Sequence, residues 1–425
     1  MRNMFWQKLI LIFKDRDLRK KIFFVLMILV LFRVGAAIPI PGVDVEQLQK
    51  FFRGNQFFGL LNIFTGGALS NLSIMMLGVA PYITASIIMQ LLTMIFPALK
   101  QMYYEEGGVG RQKFNQYSRL LTVPLAAMQG FGLLTLLHRQ NVLGELTFFE
   151  QMTNIIIVTA GSVLLMWLGE LISEYGIGNG ISLLIFAGIV AGIPAAAGQV
   201  LYTFDYSQIP LLITFIVAAC AIIAGVVIIT QGERPIPISY AKRIRGMRVY
   251  GGVSTYLPLR VNQAGVIPII FALSILLFPQ MIANAMAAVD VSIIQTTAKI
   301  LINFMNIPWI YAGFYFLLVF LFTYFYTAVT FDPDAIANNL QKSGAFIPGI
   351  RPGSSTAAFI HRVLNRITLI GAIFLGLIAV LPLAMRAVTG MAALAIGGTA
   401  LLIVVSVVLE TIKQIQAQMV MREYE

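Results

Sequence analysis

Few side chains in this sequence could carry acid–base, nucleophilic or metal chemistry. The two histidines, His138 and His361, lie in predicted loops, and the single cysteine, Cys220, lies inside an apolar run. No grouping of His, Cys and carboxylate residues has the spacing of a metal site. One cysteine cannot form a disulfide within the chain. We therefore expect no catalytic residue, no metal and no cofactor.

A glycine-rich stretch at residues 176–180 (GIGNG) has the composition of a phosphate-binding loop. Such loops follow a strand and contain a lysine. Here no strand signal precedes the glycines and no lysine follows them. The stretch therefore predicts a tight turn between two helices.

Ionisable residues are almost absent from the apolar runs. Coupled transporters keep such groups at membrane depth. Arg33 is the clearest exception, and snorkelling to the outer interface explains it about as well as a buried role does. Aliphatic and small polar side chains remain at membrane depth. Such side chains would suit the lining of a pore that holds a long and chemically varied molecule.

The composition is that of a membrane protein with many spans. Of the 425 residues, 59% are hydrophobic and 11% are charged, and the mean hydropathy is +0.86. One membrane helix needs roughly 20 apolar residues. Runs of this length predict ten spans, near residues 22–40, 74–96, 117–137, 153–173, 179–200, 210–231, 264–285, 308–331, 367–387 and 391–412.

Basic residues give the predicted orientation. Residues 1–21 alternate apolar and basic side chains without a small-residue cleavage site, which predicts an amphipathic helix on the cytoplasmic surface. With this end inside, most of the 29 Lys and Arg residues fall in cytoplasmic segments, as the positive-inside rule requires. The tail at residues 413–425 is then cytoplasmic too. The outer exceptions are Arg33, Lys50, Arg53, Arg139, Lys299 and Arg386.

Residues 54–99 do not fit a simple series of spans. They contain no charged residue and no histidine, and they are too long for one span and barely long enough for two. Two full spans would place Lys100 and Arg111 outside and would invert every later loop. We therefore predict a short segment that enters the membrane and stops, followed by one span. Non-helical backbone at that depth requires a protein interior or a water-filled cavity.

Two pairs of short strings recur five spans apart. Residues 78–83 (GVAPYI) match residues 265–270 (GVIPII), and residues 180–185 (GISLLI) match residues 398–403 (GTALLI). Each match alone is weak. Together they predict two inverted five-helix halves, residues 22–205 and 206–412, with the functional site where the halves meet near the midplane.

Two predicted cytoplasmic loops are long. Residues 232–263 alternate basic residues with residues typical of strands, which predicts a β-hairpin-like arm. Residues 331–366 are rich in Gly and Pro, which predicts an ordered turn. Both loops could serve topology alone, or could dock a ribosome or an acidic protein. Their candidate docking residues are Lys242, Arg243, Arg245, Arg248, Lys342 and Arg351.

Six motifs along the chain fit one family of membrane proteins. They are residues 38–43 (IPIPGV), 66–69 (GGAL), 81–87 (PYITASI), 176–182 (GIGNGIS), 240–243 (YAKR) and 342–353 (KSGAFIPGIRPG). On these residues the whole chain resembles the SecY family, the central subunits of the bacterial protein-conducting channel. Residues 100–113 look shorter and less basic than the family pattern.

The resemblance implies an all-α fold of ten helices in two inverted halves, with a lateral gate between spans two and three and spans seven and eight. It also implies a plug helix at about residues 57–73 beneath an aliphatic waist. The plug residues are Phe64, Thr65, Gly66, Gly67, Ala68, Leu69 and Ser70. The waist residues are Ile83, Ile87, Ile181, Ile185, Ile270 and Ile403.

The resemblance also implies a function and partners. Unfolded polypeptides would cross the bacterial cytoplasmic membrane through the waist, and transmembrane segments would leave sideways into the lipid bilayer. The implied partners are SecE, SecG, signal peptides, nascent or precursor polypeptides, and the SecA ATPase or the ribosome, with nucleic-acid contact limited to ribosomal RNA. Without the resemblance, the isoleucines fit ordinary helix packing. A coupled small-solute transporter and a scaffold for other membrane subunits are the alternatives.

Overall fold

The computed structural model describes residues 15–41, 65, 67–104, 106–139, 143, 147–202, 209–240, 243–245, 248–250, 254–287, 292–305, 307–389 and 397–423. The helices of the first half are α1 (Arg16–Ala37), α2 (Ala80–Ile95), α3 (Pro97–Tyr104), α4 (Gly107–Arg139), α5 (Phe148–Tyr175) and α6 (Gly180–Tyr202). Those of the second half are α7 (Ile209–Gln231), α8 (Ile267–Ala287), α9 (Ser292–Met305), α10 (Pro308–Thr330), α11 (Pro333–Lys342), α12 (Ser354–Thr389) and α13 (Gly397–Glu423). The strands are β1 (Glu233–Tyr240), β2 (Arg243–Arg245), β3 (Arg248–Tyr250), β4 (Ser254–Arg260) and β5 (Ala345–Phe346).

A helix coincides with each of the ten predicted spans. Within the described residues, five helices are long and apolar enough to cross a membrane, in α4, α5, α10, α12 and α13. The pair α2 and α3 adds a sixth if it forms one span, although it bends by 112°. The bend lies at Phe96 and Pro97, where the residue before a proline is driven out of the helical conformation. The count of ten spans stays a prediction.

The first helix begins earlier than predicted. Asp15 caps α1, and its side chain accepts hydrogen bonds from the backbone N–H groups of Asp17 and Leu18. Residues 16–21 therefore form the first turns of α1 instead of the end of a separate helix. Residues 1–14 of the predicted amphipathic helix lie outside the described residues.

One pair of the repeated strings adopts the same local structure. Gly78 has a φ of +60° and Gly265 a φ of +62°, in the left-handed region that glycine tolerates best. Each glycine stands two residues before a helix, since α2 begins at Ala80 and α8 at Ile267. The proline that follows each start suits the first turn of a helix. The two strings therefore share a backbone conformation as well as a sequence pattern.

A single apolar cluster joins the two halves. Its buried residues come from α1, α2, α5 and α6 of the first half and from α7, α8, α10, α12 and α13 of the second. At one side of this cluster, α8 packs against both α2 and α4. Three of the four helices that the family resemblance assigns to a lateral gate, α2, α4 and α8, are therefore in contact.

The two long loops fold into one small sheet. β1 pairs antiparallel with β4, which confirms the predicted hairpin-like arm. The other edge of β1 pairs with β5 of the second loop, which places Ser239 opposite Phe346 and Tyr240 opposite Ala345. The strand order is β4–β1–β5, and β2 pairs with β3 separately. The buried core of this unit consists of Ile236, Leu259, Ile347, Ile360 and Ile367.

Candidate functional site

The six waist isoleucines lie in the cluster that joins the halves. They come from α2, α6, α8 and α13. Five of them are buried, and Ile181 is partly buried against the others. Ile83, Ile185, Ile270 and Ile403 end the four repeated strings, so the positions that the repeat pairs all lie in this one cluster. That they form a pore ring stays a prediction.

Close contact through glycine places the two isoleucines of α6. A Cβ atom at Gly180 would overlap the carbonyl oxygen of Gly169 on α5. A Cβ atom at Gly169 would lie 3.1 Å from Cγ1 of Ile181. Ile185 lies one turn further along and therefore on the same face of α6. Larger residues at either glycine would push α6, and both isoleucines with it, away from α5.

The predicted plug is described in part. Phe64 and Gly66 lie outside the described residues, whereas residues 67–79 form consecutive turns and not the predicted helix. The backbone reverses sharply because Gly67 has a φ of +80°. Ala68 and Leu69 are fully buried. The described part of this segment is therefore a packed turn.

Two side chains close that turn. The hydroxyl of Thr65 accepts a hydrogen bond of 3.3 Å from the backbone N–H of Leu69. The hydroxyl of Ser70 donates one of 2.8 Å to the carbonyl oxygen of Gly67. Polar groups in a buried turn need partners, and these two bonds stay within the segment. The turn can thus keep its shape as a unit.

Backbone hydrogen bonds tie the end of the turn to the end of α1. The N–H of Ile40 donates to the carbonyl of Leu72 at 2.8 Å, and the N–H of Ile74 donates to the carbonyl of Ile38 at 2.9 Å. Pro39 and Ser73 accordingly form an antiparallel bridge. We call residues 38–40 and 72–74 the clasp. The clasp fixes the base of the plug segment.

The predicted docking residues of the first loop lie in or beside the β2–β3 hairpin. Lys242 lies outside the described residues. The backbones of Arg243, Arg245 and Arg248 belong to β2 and β3, and Arg245 pairs with Arg248. The two loops are brought together through β1 and β5.

The predicted ordered turn of the second loop is confirmed. Gly349 and Gly353 adopt φ values of +82° and +100° on either side of Arg351. The hydroxyl of Thr356 donates to the carbonyl oxygen of Arg351 at 2.9 Å. Both Arg351 and Lys342 are exposed. The turn holds the backbone of Arg351 while its side chain faces solvent.

Two contacts between distant residues were missed at the sequence level. Nε of Arg119 on α4 lies 2.7 Å from Oε1 of Glu170 on α5. The hydroxyl of Tyr104 at the end of α3 donates to the carbonyl oxygen of Val329 on α10. No local pattern could indicate either pair, because the partners belong to different helices. Across the described ranges, no three His, Cys, Asp or Glu side chains gather as a metal site would require.

Comparison with known proteins finds one family along most of the chain. The SecY family matches residues 73–412. The protein translocase subunit SecY of Corynebacterium glutamicum is 44% identical over 433 residues, which cover 97% of this chain and 98% of the relative.

Solved structures share the architecture. The structure of a protein-conducting channel superposes with a TM-score of 0.63 and 20% identity, and it covers 93% of this chain and 91% of that chain. A SecY structure whose plug domain stabilises the closed state gives a TM-score of 0.62 at 19% identity, with the same coverage. At this identity the likeness shows the fold alone. The family match, together with 44% identity along 97% of the chain, shows that this protein belongs to the SecY family.

Proposed function

We propose that this chain is the channel subunit of a protein translocase. It passes unfolded secretory polypeptides across the membrane and releases transmembrane segments sideways into the bilayer. The nearly full-length identity to a protein translocase subunit supports this function. The observation that carries it is the waist, because isoleucines from four helices and both halves meet in one apolar cluster.

An isoleucine waist suits the two tasks of such a channel. Aliphatic side chains do not support a stable water column, so a closed waist resists the flow of ions. They also offer no fixed hydrogen bonds, so a passing polypeptide of any sequence is not held. β-branched side chains are stiff at χ1, which helps the ring keep its shape in the idle channel.

The contact of α8 with α2 and α4 is the proposed lateral gate. A signal helix would enter between these helices because its apolar face gains free energy in lipid. The gain is roughly 0.3–0.6 kcal/mol for each Leu, Ile, Phe or Val. Summed over a whole apolar helix, this free-energy gain amounts to several kcal/mol. It is enough to open a gate whose closed state is favoured by a similar free energy.

The plug segment is the proposed second seal. The clasp gives it a fixed base, and Gly67 gives it a hinge. When a polypeptide enters, the turn around Ala68 and Leu69 would swing away while residues 72–74 stay with α1. The hydrogen bonds of Thr65 and Ser70 within the segment would help it keep its shape as it moves.

The proposed partners bind at the cytoplasmic sheet and around the helices. SecA or the translating ribosome would dock on the β2–β3 hairpin and on the Arg351 turn, with ribosomal RNA as the nucleic acid in reach. SecE and SecG would complete the complex in the bacterial cytoplasmic membrane, with both termini of this chain inside. The energy would come from the motor or from synthesis, and the chain itself would catalyse no reaction.

Reconstitution tests the proposed function. Liposomes carrying this chain with SecE and SecG receive SecA, ATP and an unfolded precursor on the outside. We expect the precursor to become resistant to added protease, and to become sensitive again when detergent dissolves the vesicles. Empty liposomes and reactions without ATP are the controls. A precursor that stays open to protease would favour a solute transporter or a scaffold and would overturn the proposal.

A further inference from the structure

The cytoplasmic end of the closed gate carries a contact that the proposed transport cycle does not use. The chain turns by 112° between α2 and α3, and α3 ends at Tyr104. The Tyr104 hydroxyl donates a hydrogen bond to the carbonyl oxygen of Val329 in the last turn of α10. α3 belongs to the first half and α10 to the second. This bond therefore crosses from one half to the other.

The acceptor needs a partner from outside its own helix. The last four carbonyl groups of a helix have no intrahelical donor, and α10 ends at Thr330. Val329 is buried, so water cannot easily take the place of the phenol. Opening the halves at this point would leave the Val329 carbonyl unpaired until solvent reached it.

Aromatic packing holds the donor to the first half. The rings of Tyr103 and Tyr104 meet edge to face at 4.9 Å. Tyr103 also packs at 4.8 Å against Phe114 of α4, and Cζ of Arg111 lies 5.9 Å from the centre of its ring. These contacts fix the end of α3 against α4. The Tyr104 hydroxyl is thus presented by a rigid group that moves with the first half.

The acceptor is held to the second half in the same way. Tyr326, one turn before Val329 on α10, meets the ring of Phe271 on α8 edge to face at 6.0 Å. Phe322 makes a second edge-to-face contact with Phe271 at 6.0 Å. α8 and α10 therefore carry the Val329 carbonyl as part of their own packed pair.

We propose that Tyr104 is a latch on the cytoplasmic side of the lateral gate and sets how apolar a signal sequence must be to open it. The proposal rests on the channel function above. One net hydrogen bond shifts a two-state equilibrium by about two-fold to ten-fold.

The first test measures the gate without transport. Spin labels are placed at Gln101 and Thr330, which are exposed on α3 and α10, in a complex whose native Cys220 is replaced by alanine. Tyr104→Phe removes the hydroxyl and keeps the ring. In the idle complex, we expect this variant to move part of the label distances to longer values. The matched control is Tyr117→Phe, because Tyr117 is an exposed tyrosine of α4, and it should leave the distances unchanged.

The second test measures the signal threshold. The same variants, without labels, receive one precursor with an intact signal sequence and one whose signal carries fewer apolar residues. Tyr104→Phe should raise transport of the weak-signal precursor by about two-fold to ten-fold and leave the intact precursor unchanged. Tyr117→Phe should match the unaltered channel with both precursors.

The outcomes separate the latch from the channel function. Unchanged label distances in Tyr104→Phe would overturn the latch. Longer distances with weak-signal transport equal to that of Tyr117→Phe would overturn its role in the threshold. If the unaltered complex moves no precursor at all, the channel function fails, whereas the label distances still decide whether the latch exists.

Discussion

Gly161 on α5 lies in close contact with the clasp. A Cβ atom at this position would overlap the carbonyl oxygen of Ile74, which belongs to the clasp. Because backbone on both sides must then move, we expect Gly161→Ala to lower stability by about 1–3 kcal/mol. Thermal unfolding of the purified complex should show a fall in Tm of a few degrees.

Gly192→Ala is the control for this change. Gly192 lies in α6 with no atom near the position of an added Cβ. Alanine favours a helix over glycine by up to about 1 kcal/mol, so this variant should unfold at the same temperature or slightly higher. Equal Tm values for Gly161→Ala and Gly192→Ala would show that α5 and the clasp can separate without cost.

Arg351 carries the proposed docking contact of the second loop. Its planar guanidinium offers a fork of donors that lysine lacks, and the turn between Gly349 and Gly353 fixes its backbone. We expect Arg351→Glu nearly to abolish SecA-driven transport and Arg351→Lys to reduce it measurably. ATP-dependent precursor transport, with the amount of assembled complex measured beside it, checks both.

Arg362→Glu makes the same charge change at an exposed position of α12. It should weaken transport far less than Arg351→Glu. Full transport activity of Arg351→Glu would show that this turn does not take part in docking. Loss of the Arg351→Glu protein from the membrane would instead make this arginine a determinant of topology.

The plug segment is the element whose removal should leave the fold intact. Deleting residues 64–70 keeps the two hydrogen bonds between residues 38–40 and 72–74, although it removes the carbonyl oxygens of Ala68 and Leu69 that accept from Ser73 and Leu72. We expect a complex that still assembles but leaks ions when idle, because the waist alone must then exclude water. Conductance of the idle complex in planar bilayers measures the leak.

Ser70→Ala is a milder companion to the deletion. It removes the hydrogen bond from the Ser70 hydroxyl to Gly67 and keeps the rest of the segment, so its leak should lie between that of the unaltered channel and that of the deletion. An idle channel that stays tight after the deletion would mean that the waist alone seals the pore.

The helices could be placed from the sequence because an apolar run of sufficient length is itself the signal. The start of α1 was placed too late, although Asp15 before a helical stretch is a recognisable cap. α9 was missed because Ser292–Met305 is shorter than a membrane span. The pairing of β5 with β1 could not be predicted from the sequence. A strand of two residues is too short to show the alternation of apolar and polar residues, and β1 lies in the other long loop.

The waist belongs to the whole molecule, because neither half contains all six isoleucines. Ile403 is fully buried in the cluster. Asparagine there would place a polar group in the closed waist and stabilise water within it. We therefore expect Ile403→Asn to loosen the closed state, to raise idle ion leak and to increase export of precursors with defective signals several-fold. Export of such a precursor, measured beside one with an intact signal, checks this.

Val408→Asn provides the control on the same helix, because Val408 is exposed on α13. It should keep the ordinary signal requirement. If Ile403→Asn also kept that requirement, the isoleucines would be packing residues with no part in the seal.

The repeated strings alone could predict that Ile83, Ile185, Ile270 and Ile403 share a depth, since paired strings in inverted halves end alike. Ile87 and Ile181 came from the family resemblance only. The clasp could not be predicted at all. Its two strands are separated by the plug itself, and their pairing depends on where α1 ends and α2 begins.

The sheet that the two long loops share also constrains the order in which the chain can fold during synthesis. β1 and β4 emerge together and can pair at once, but β5 is made only after α8, α9 and α10. Until then one edge of β1 stays uncovered. β5 can reach that edge only if the intervening helices were threaded so that both loops lie on the same side of the membrane. The complete sheet therefore forms only in a correctly inserted chain. A motor or ribosome that binds the complete sheet would not bind channels whose insertion is incomplete.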